Sequence, residues 1–333
     1  MVDNLSIFNF SKVVKKRIIS IVTFVIILYS LDFVIGSTLR YLYFNEKSGF
    51  QFRTTYAMDS TKADILVFGS SRASHHYFPE VFEDSLKMTF YNTGRDGIGI
   101  LVQTAILKSV LKRYTPKIII LDCFGDFEAN KNSFDGPAFL LPYYRTHEEV
   151  RKTIELNDSF ERVKLISEIY PFNSQILSIV SGNLKVSKKR ITDNKGYIPL
   201  YKEWQAGIDS IETYKTHPID SVIKNTFREF ISIAKKSGAK VFIVYSPIFE
   251  KYGKKRAIEI CTDICNSENV PFWDYSKDTL FLNNRHLFQD VLHLNNNGAK
   301  IFSNIIAEKI KDNIYQSQPN GNPGQPILKM KSH

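Results

Sequence analysis

The sequence predicts a three-layer α/β/α sandwich around a five-stranded parallel sheet, carried on one amino-terminal transmembrane helix and interrupted by a helical insertion. Three observations point there. From residue 63, short unbroken apolar runs alternate with stretches whose apolar residues recur at helical spacing, the rhythm of parallel strands covered on both faces. The first such run ends in a small-residue turn, Gly69-Ser70-Ser71, and the carboxyl ends of strands are where open sheets of this class do chemistry. Far upstream, Ile18–Ile35 is mostly apolar, and at 1.5 Å per residue it spans about 27 Å, close to the thickness of a hydrocarbon layer.

In chain order, residues 1–17 form a cytoplasmic tail closing on Lys12, Lys15, Lys16 and Arg17. Basic residues before the apolar run place the amino terminus inside and the bulk of the chain outside the cytoplasmic membrane. The anchor and its stalk take residues 18–44, with Tyr41 and Tyr43 at the interface and Asp32 near enough to the outer end to reach headgroups. A cleaved signal peptide is the competing reading, with Val34-Ile35-Gly36 as a weak cleavage site. Either way the remainder leaves the cytoplasm.

An extracytoplasmic domain over 60–315 follows. Ile65–Phe68 is its first strand. A helix begins near Pro79, where proline suits a first turn, and runs to Leu86. Met88–Tyr91 is the second strand, Ile98–Tyr114 a helix and Ile118–Leu121 the third strand. Over 124–218 the rhythm stops. This insertion holds short helices at Glu148–Glu155, Phe160–Ile169 and Ser174–Val180. It also holds a basic loop (Lys185, Lys188, Lys189, Arg190, Lys195) that is either a solvated surface or a contact for anionic polysaccharide or headgroups. The rhythm resumes with an amphipathic helix, Ile219–Lys236, closed by Gly238. Strand Lys240–Tyr245, helix Lys254–Asn266, strand Val270–Tyr275 and a closing helix Asn297–Ile314 complete the domain. Residues 316–333, rich in Gln, Pro, Asn and Gly, read as a disordered tail.

The net charge of +10 invites a nucleic-acid reading, but the lysines are scattered and no nucleic-acid motif accompanies them. A positive protein facing anionic lipid or glycan accounts for it better. Three cysteines, Cys123, Cys261 and Cys265, read as buried packing. Cys261 and Cys265 are four apart on a helix, a poor geometry for a disulfide, and no histidine or second pair nearby suggests zinc. Neither a cofactor nor a metal is expected.

A serine hydroxyl is a weak nucleophile and needs a base within hydrogen-bond reach. The loop Asp290-Val291-Leu292-His293 offers one, with a carboxylate three residues earlier to hold its tautomer. The pattern is not that of an α/β-hydrolase, which shows Gly-x-Ser-x-Gly and an acid well upstream of its histidine; position 73 here is Ala. Arg72, beside Ser71, reads as a site for an anionic substrate group or as a surface salt bridge. His75 and His76 are adjacent, so on a strand they would point opposite ways and not share a metal.

These blocks resemble the SGNH (GDSL-like) serine esterases and acyltransferases, above all the membrane-anchored members that work on envelope polymers. The family's Gly-Asp-Ser corresponds to Gly69-Ser70-Ser71, and its glycine after the second strand to Asn92-Thr93-Gly94-Arg95-Asp96-Gly97. Its Asp-x-x-His corresponds to Asp290 and His293, followed by Leu294-Asn295 and Gly298-Ala299, so that the resemblance covers about 60–312. It implies Ser71 as nucleophile, His293 as base, Asp290 as its orienting carboxylate, and an oxyanion hole from the amides of Ser71 and Gly94. Two departures stand out. Ser70 replaces the family's Asp, and the Gly-x-Asn-Asp block has no match in Leu121-Asp122-Cys123-Phe124-Gly125-Asp126-Phe127-Glu128. An ionised Asp122 or Asp126 would repel an oxyanion, so the hole either has two donors or borrows another from Asn92 or Arg95. Asn92, Arg72, Arg95 and Asp126 are the candidates for substrate binding.

The activity so implied is an esterase for O-acyl, such as acetyl, groups on a cell-envelope carbohydrate. A second reading is an O-acyltransferase working with a multispanning acyl-donor partner. A third is a non-catalytic glycan-binding or assembly protein on the same fold.

Overall fold

The computed structural model describes residues 12–123, 127–128, 136–156, 158–184, 194–205, 218–249 and 255–316. Its strands are β1 (Ile65–Gly69), β2 (Phe90–Asn92), β3 (Ile118–Asp122), β4 (Lys240–Tyr245) and β5 (Phe272–Asp274). Its helices are α1 (Lys12–Phe44), α2 (Gly49–Asp59), α3 (Ser71–His76), α4 (Pro79–Leu86), α5 (Ile100–Leu111) and α6 (Glu148–Glu155), then α7 (Glu161–Lys164), α8 (Ile176–Asn183), α9 (Ser221–Lys236), α10 (Lys255–Glu268), α11 (Thr279–Leu282) and α12 (Asn296–Gln316). The chain divides into two compact units, 1–52 with 138–190 and 53–137 with 191–333.

The larger unit holds a five-stranded sheet in the order β2-β1-β3-β4-β5, and every neighbouring pair is parallel. Every residue of β1 and β3 is buried, which is why these strands read as unbroken apolar runs. Side chains alternate between two faces. Ile65 and Val67 pack with Ala73, Phe82, Phe302 and Ile306 on the face covered by α3, α4 and α12. Phe68 meets Phe230 of α9 on the other, ring centres 5.4 Å apart, where α5, α9 and α10 lie. Local signals hold the helices: Asp220 caps α9 by accepting from the amides of Val222 and Ile223, and Gly238 takes φ +88° just beyond its end. All three cysteines are buried, with the Cys123 and Cys261 sulfurs 2.7 Å apart, and burial pushes the thiols of Cys261 and Cys265 up.

One expectation needs correction in this unit. The stretch after Ser71, read as a turn with His75 and His76 on extended backbone, is the helix α3. Lys195 of the basic loop, its side chain 44% exposed, pairs with Glu83; the loop's other lysines and Arg190, like the tail after Gln316, lie outside the described residues.

In the smaller unit α6 forms as expected. The helix expected over Phe160–Ile169 is reduced to one turn, α7, and the next begins as a 3-10 turn at Tyr170–Gln175, with Pro171 in its first turn, before running on as α8. Asp32 of α1 accepts from Ser167 Oγ at 2.5 Å and from the amides of Glu168 and Ile169 at 2.7 and 3.3 Å. Its partners are therefore protein groups, where headgroups were expected. Arg40 pairs with Glu168 at 2.7 Å, and Gly36 approaches Glu168 so closely that any side chain there would collide with it.

Candidate active site

Strand order places the site. From β1 the chain steps to β2 on one side, then returns to β3 on the other, which opens a crevice at the carboxyl ends of β1 and β3. Gly69 closes β1 at φ +147°, and a Cβ there would stand 2.7 Å from both the Asp122 carbonyl oxygen and the Ala73 Cβ. Glycine is needed because β3 and α3 approach it from both sides. Its carbonyl accepts from Gln103 Nε2 at 2.5 Å. The next residue but one, Ser71, opens α3, so its amide has no carbonyl a turn earlier within the helix to donate to.

Ser71 Oγ lies 2.7 Å from His293 Nε2. The far nitrogen of that ring, Nδ1, lies 2.9 and 3.0 Å from the two oxygens of Asp290. Asp290 Oδ1 also accepts from the amides of Leu292 and His293 at 2.9 and 3.0 Å. Partial burial would raise the Asp290 carboxyl, but the hydrogen bond and charge of His293 and these two amides outweigh it and hold the group below its ordinary value. An ionised Asp290 accepts from Nδ1–H, which leaves the Nε2 lone pair facing the serine hydroxyl. This arrangement can take the Ser71 proton and stabilise the imidazolium that results.

The candidates around the relay fall out differently. Arg72 is 1% exposed. It pairs with Asp122 at 3.3 Å, donates to the carbonyls of Cys123 and Ser246 at 2.7 and 3.1 Å, and lies 4.3 Å over the Tyr245 ring. It is thus neither a substrate anchor nor a surface salt bridge: it fastens α3 to the ends of β3 and β4. Burial raises the Asp122 carboxyl, and Arg72 with the hydroxyls of Ser246 and Tyr77 opposes this. Asn92 is also a buried structural group, donating to the Ala73 carbonyl at 2.6 Å and accepting the Gly94 amide on Oδ1 at 2.8 Å. The Gly94 N–H expected to meet an oxyanion is therefore engaged inside its own loop. Glycine is required at 94 for another reason, since a Cβ would stand 2.7 Å from the Ser74 nitrogen. Arg95 is buried and donates to Thr54 Oγ1 at 3.0 Å, so it is not a free substrate-binding cation. Asp126 lies outside the described residues.

His76 is the residue that sequence reasoning passed over. It is fully buried, accepts the Leu294 amide on Nε2 at 2.9 Å and faces Ser246 Oγ from Nδ1 at 3.0 Å. It therefore holds the backbone directly after His293. Burial, followed by the charges of His293 and Arg72, holds its pKa well below the ordinary histidine value. His75 meets the Ile198 carbonyl at 2.7 Å and Asp96 at 3.3 Å. The signal was present: helical spacing from Ser71, rather than strand alternation, aims residue 76 back under the turn.

No family model matches the sequence, and neither does a curated protein. Among solved structures the chain is similar to a family two carbohydrate esterase from Clostridium thermocellum, at 9% identity over 75% of this chain and 64% of that one, with a TM-score of 0.38. It is similar to a GDSL-like lipase from Bacteroides thetaiotaomicron at 10% identity, covering 80% of this chain and 98% of that one, TM-score 0.40. A two-domain esterase active on acetylated mannans is 13% identical over 85% of this chain and 59% of its own, TM-score 0.41. The chain thus spans less than two thirds of two of these proteins.

Proposed function

We propose that the chain is an SGNH-type serine enzyme that removes acyl groups from ester positions of a cell-envelope carbohydrate, on an anchored domain outside the cytoplasmic membrane. The observation that carries the reading is the unbroken relay from Asp290 through His293 to Ser71 at 2.9 and 2.7 Å. Ser71 Oγ attacks the acyl carbonyl as its proton passes to His293 Nε2. The Ser71 amide faces the developing oxyanion, and Asp290 stabilises the imidazolium. Collapse breaks the ester bond; His293 returns the proton to the departing sugar oxygen and the acyl group remains on Ser71. Water, deprotonated by His293, then releases the acid. The carbohydrate and its place in the envelope rest on the resemblance of the sequence blocks and on the apolar helix before the domain.

One observation favours a second reading. With the Gly94 amide held by Asn92, the hole has fewer donors, and losing one such donor costs on the order of 10²–10³ in rate. A slow hydrolase of this kind fits a transferase in which a sugar hydroxyl replaces water and a multispanning partner delivers the acyl donor. It also fits a glycan-binding protein that makes no use of the relay.

The test is hydrolysis of p-nitrophenyl acetate by the full chain in detergent beside Ser71→Ala. Turnover falling by about 10³ or more in the variant supports the nucleophile. Equal rates in both would remove the catalytic reading, and no turnover in either would move it to the partner-dependent transferase.

A further inference from the structure

We propose that the smaller unit is seated in the bilayer as well as tethered to it: the segment Phe160–Ile169 forms a collar whose apolar side chains lie among lipid acyl chains beside α1. The proposal rests on the reading of α1 as a membrane anchor.

The argument begins with length. Helix Lys12–Phe44 is long and apolar enough to cross a membrane, and its apolar residues from Ile18 to Leu31 are exposed. The basic run ending at Arg17 sets the inner boundary. The exposed apolar run continues through Phe33, Val34 and Ile35, so that from Ile18 to Ile35 it spans about 27 Å at 1.5 Å per residue, close to a hydrocarbon layer near 30 Å. Residue 32 thus stands about 5 Å inside the outer end of that run, and beside it stands the protein turn that binds Asp32. Ser167, Glu168 and Ile169 hold both oxygens of that carboxylate at 2.5 to 3.3 Å, so this turn shares the depth of residue 32.

The chain leading into the turn is built for that depth. Phe160, Val163 and Ile166 recur every third residue through successive turns, with the amide of Val163 on the Phe160 carbonyl and that of Ile166 on the Val163 carbonyl. They are 67%, 61% and 68% exposed. Single exposed apolar residues are ordinary, but an aligned row of them marks a contact surface. Of the polar members of the segment, Glu161 is buried against Lys164 and Tyr170, and Arg162, which stays exposed, pairs with Glu155 at 2.6 Å. Lipid is the occupant because the row sits next to the turn pinned at residue 32 of the anchor. The arrangement also satisfies Asp32, whose bare carboxylate in hydrocarbon would be costly.

The test uses the full chain in vesicles of phosphatidylethanolamine and phosphatidylglycerol. Single cysteines at Ile166, at Ile27 in the anchor and at exposed Lys240 carry an environment-sensitive fluorophore, and the unsubstituted chain, whose own cysteines are buried, is the labelling blank. Nitroxide-bearing acyl chains should quench the label at 166 nearly as well as that at 27, while aqueous iodide quenches the label at 240 alone. Iodide quenching at 166 equal to that at 240, with 27 still quenched from the lipid, overturns the collar and leaves the anchor standing. A label at 27 open to iodide overturns the anchor itself. Shielding of 166 from both quenchers means that protein covers the row, and that outcome also overturns the proposal.

Discussion

His76 and His293 stand with ring centres 6.4 Å apart, and each has a serine hydroxyl on one nitrogen. What lies on the other nitrogen separates them. His76 Nε2 accepts a backbone amide, which places its proton on Nδ1 and makes it a donor to Ser246. His293 Nδ1 meets a carboxylate, which draws the proton there and leaves Nε2 as the acceptor for Ser71. The same side chain, a few ångströms apart, is a fixed strut in one place and a proposed base in the other. The partner on the far nitrogen assigns the role.

The sharpest way to break this contrast is Asp290→Asn. An amide would donate to Nδ1 and move the His293 proton to Nε2, so that Ser71 loses its acceptor; kcat should fall by about 10³–10⁴. Ester hydrolysis by the variant measures it, and a loss below tenfold would mean that the carboxylate does not set the tautomer. Next in size is His76→Leu, which strands the Leu294 amide and the Ser246 hydroxyl in a buried site. A loss of about 2–4 kcal/mol is expected in denaturant unfolding. His76→Gln keeps an acceptor and a donor and should recover most of it; equal losses in both would reduce His76 to mere packing.

The smallest effect is in pH. His76 titrates far lower folded than unfolded, so the unfolded chain takes up a proton that the native chain refuses. Stability should therefore fall as pH drops below about 6.5, by up to about 1.4 kcal/mol per unit. Asp290 and Asp96, both held below the ordinary carboxylate value, contribute stability above about pH 4 that is lost only below it. Between about pH 4 and 6.5, therefore, His76 is the one of these three groups that titrates on unfolding. Unfolding of His76→Gln between pH 5 and 6.5 should be flatter than that of the parent, and parallel slopes would refute the assignment.

The sheet was legible because a strand buried on both faces is an apolar run whatever surrounds it, as Ile118–Leu121 is. The relay was legible because Asp290 and His293 sit three residues apart in one loop, and Ser71 follows the first strand. Arg72 was not: its partner Asp122 lies fifty positions away, and nothing local distinguishes a buried arginine from an exposed one. Gly94 was misjudged for a related reason. A missing side chain announces a close approach without saying to what, and here the approach is to α3 and the Asn92 amide oxygen rather than to open space. The seating of Asp32 depends on a turn 135 residues further on, which no spacing within the anchor could reveal.

Ser71 and His293 are 222 residues apart, and the closing helix α12 packs on the helix that opens with Ser71. At 5–20 residues per second of synthesis, roughly 10–45 s separate the arrival of the hydroxyl from that of its base. On the reading proposed above, the nascent chain carries through that interval a serine without its base, so the order of the sequence itself delays full reactivity until the loop at residues 290–293 has been made.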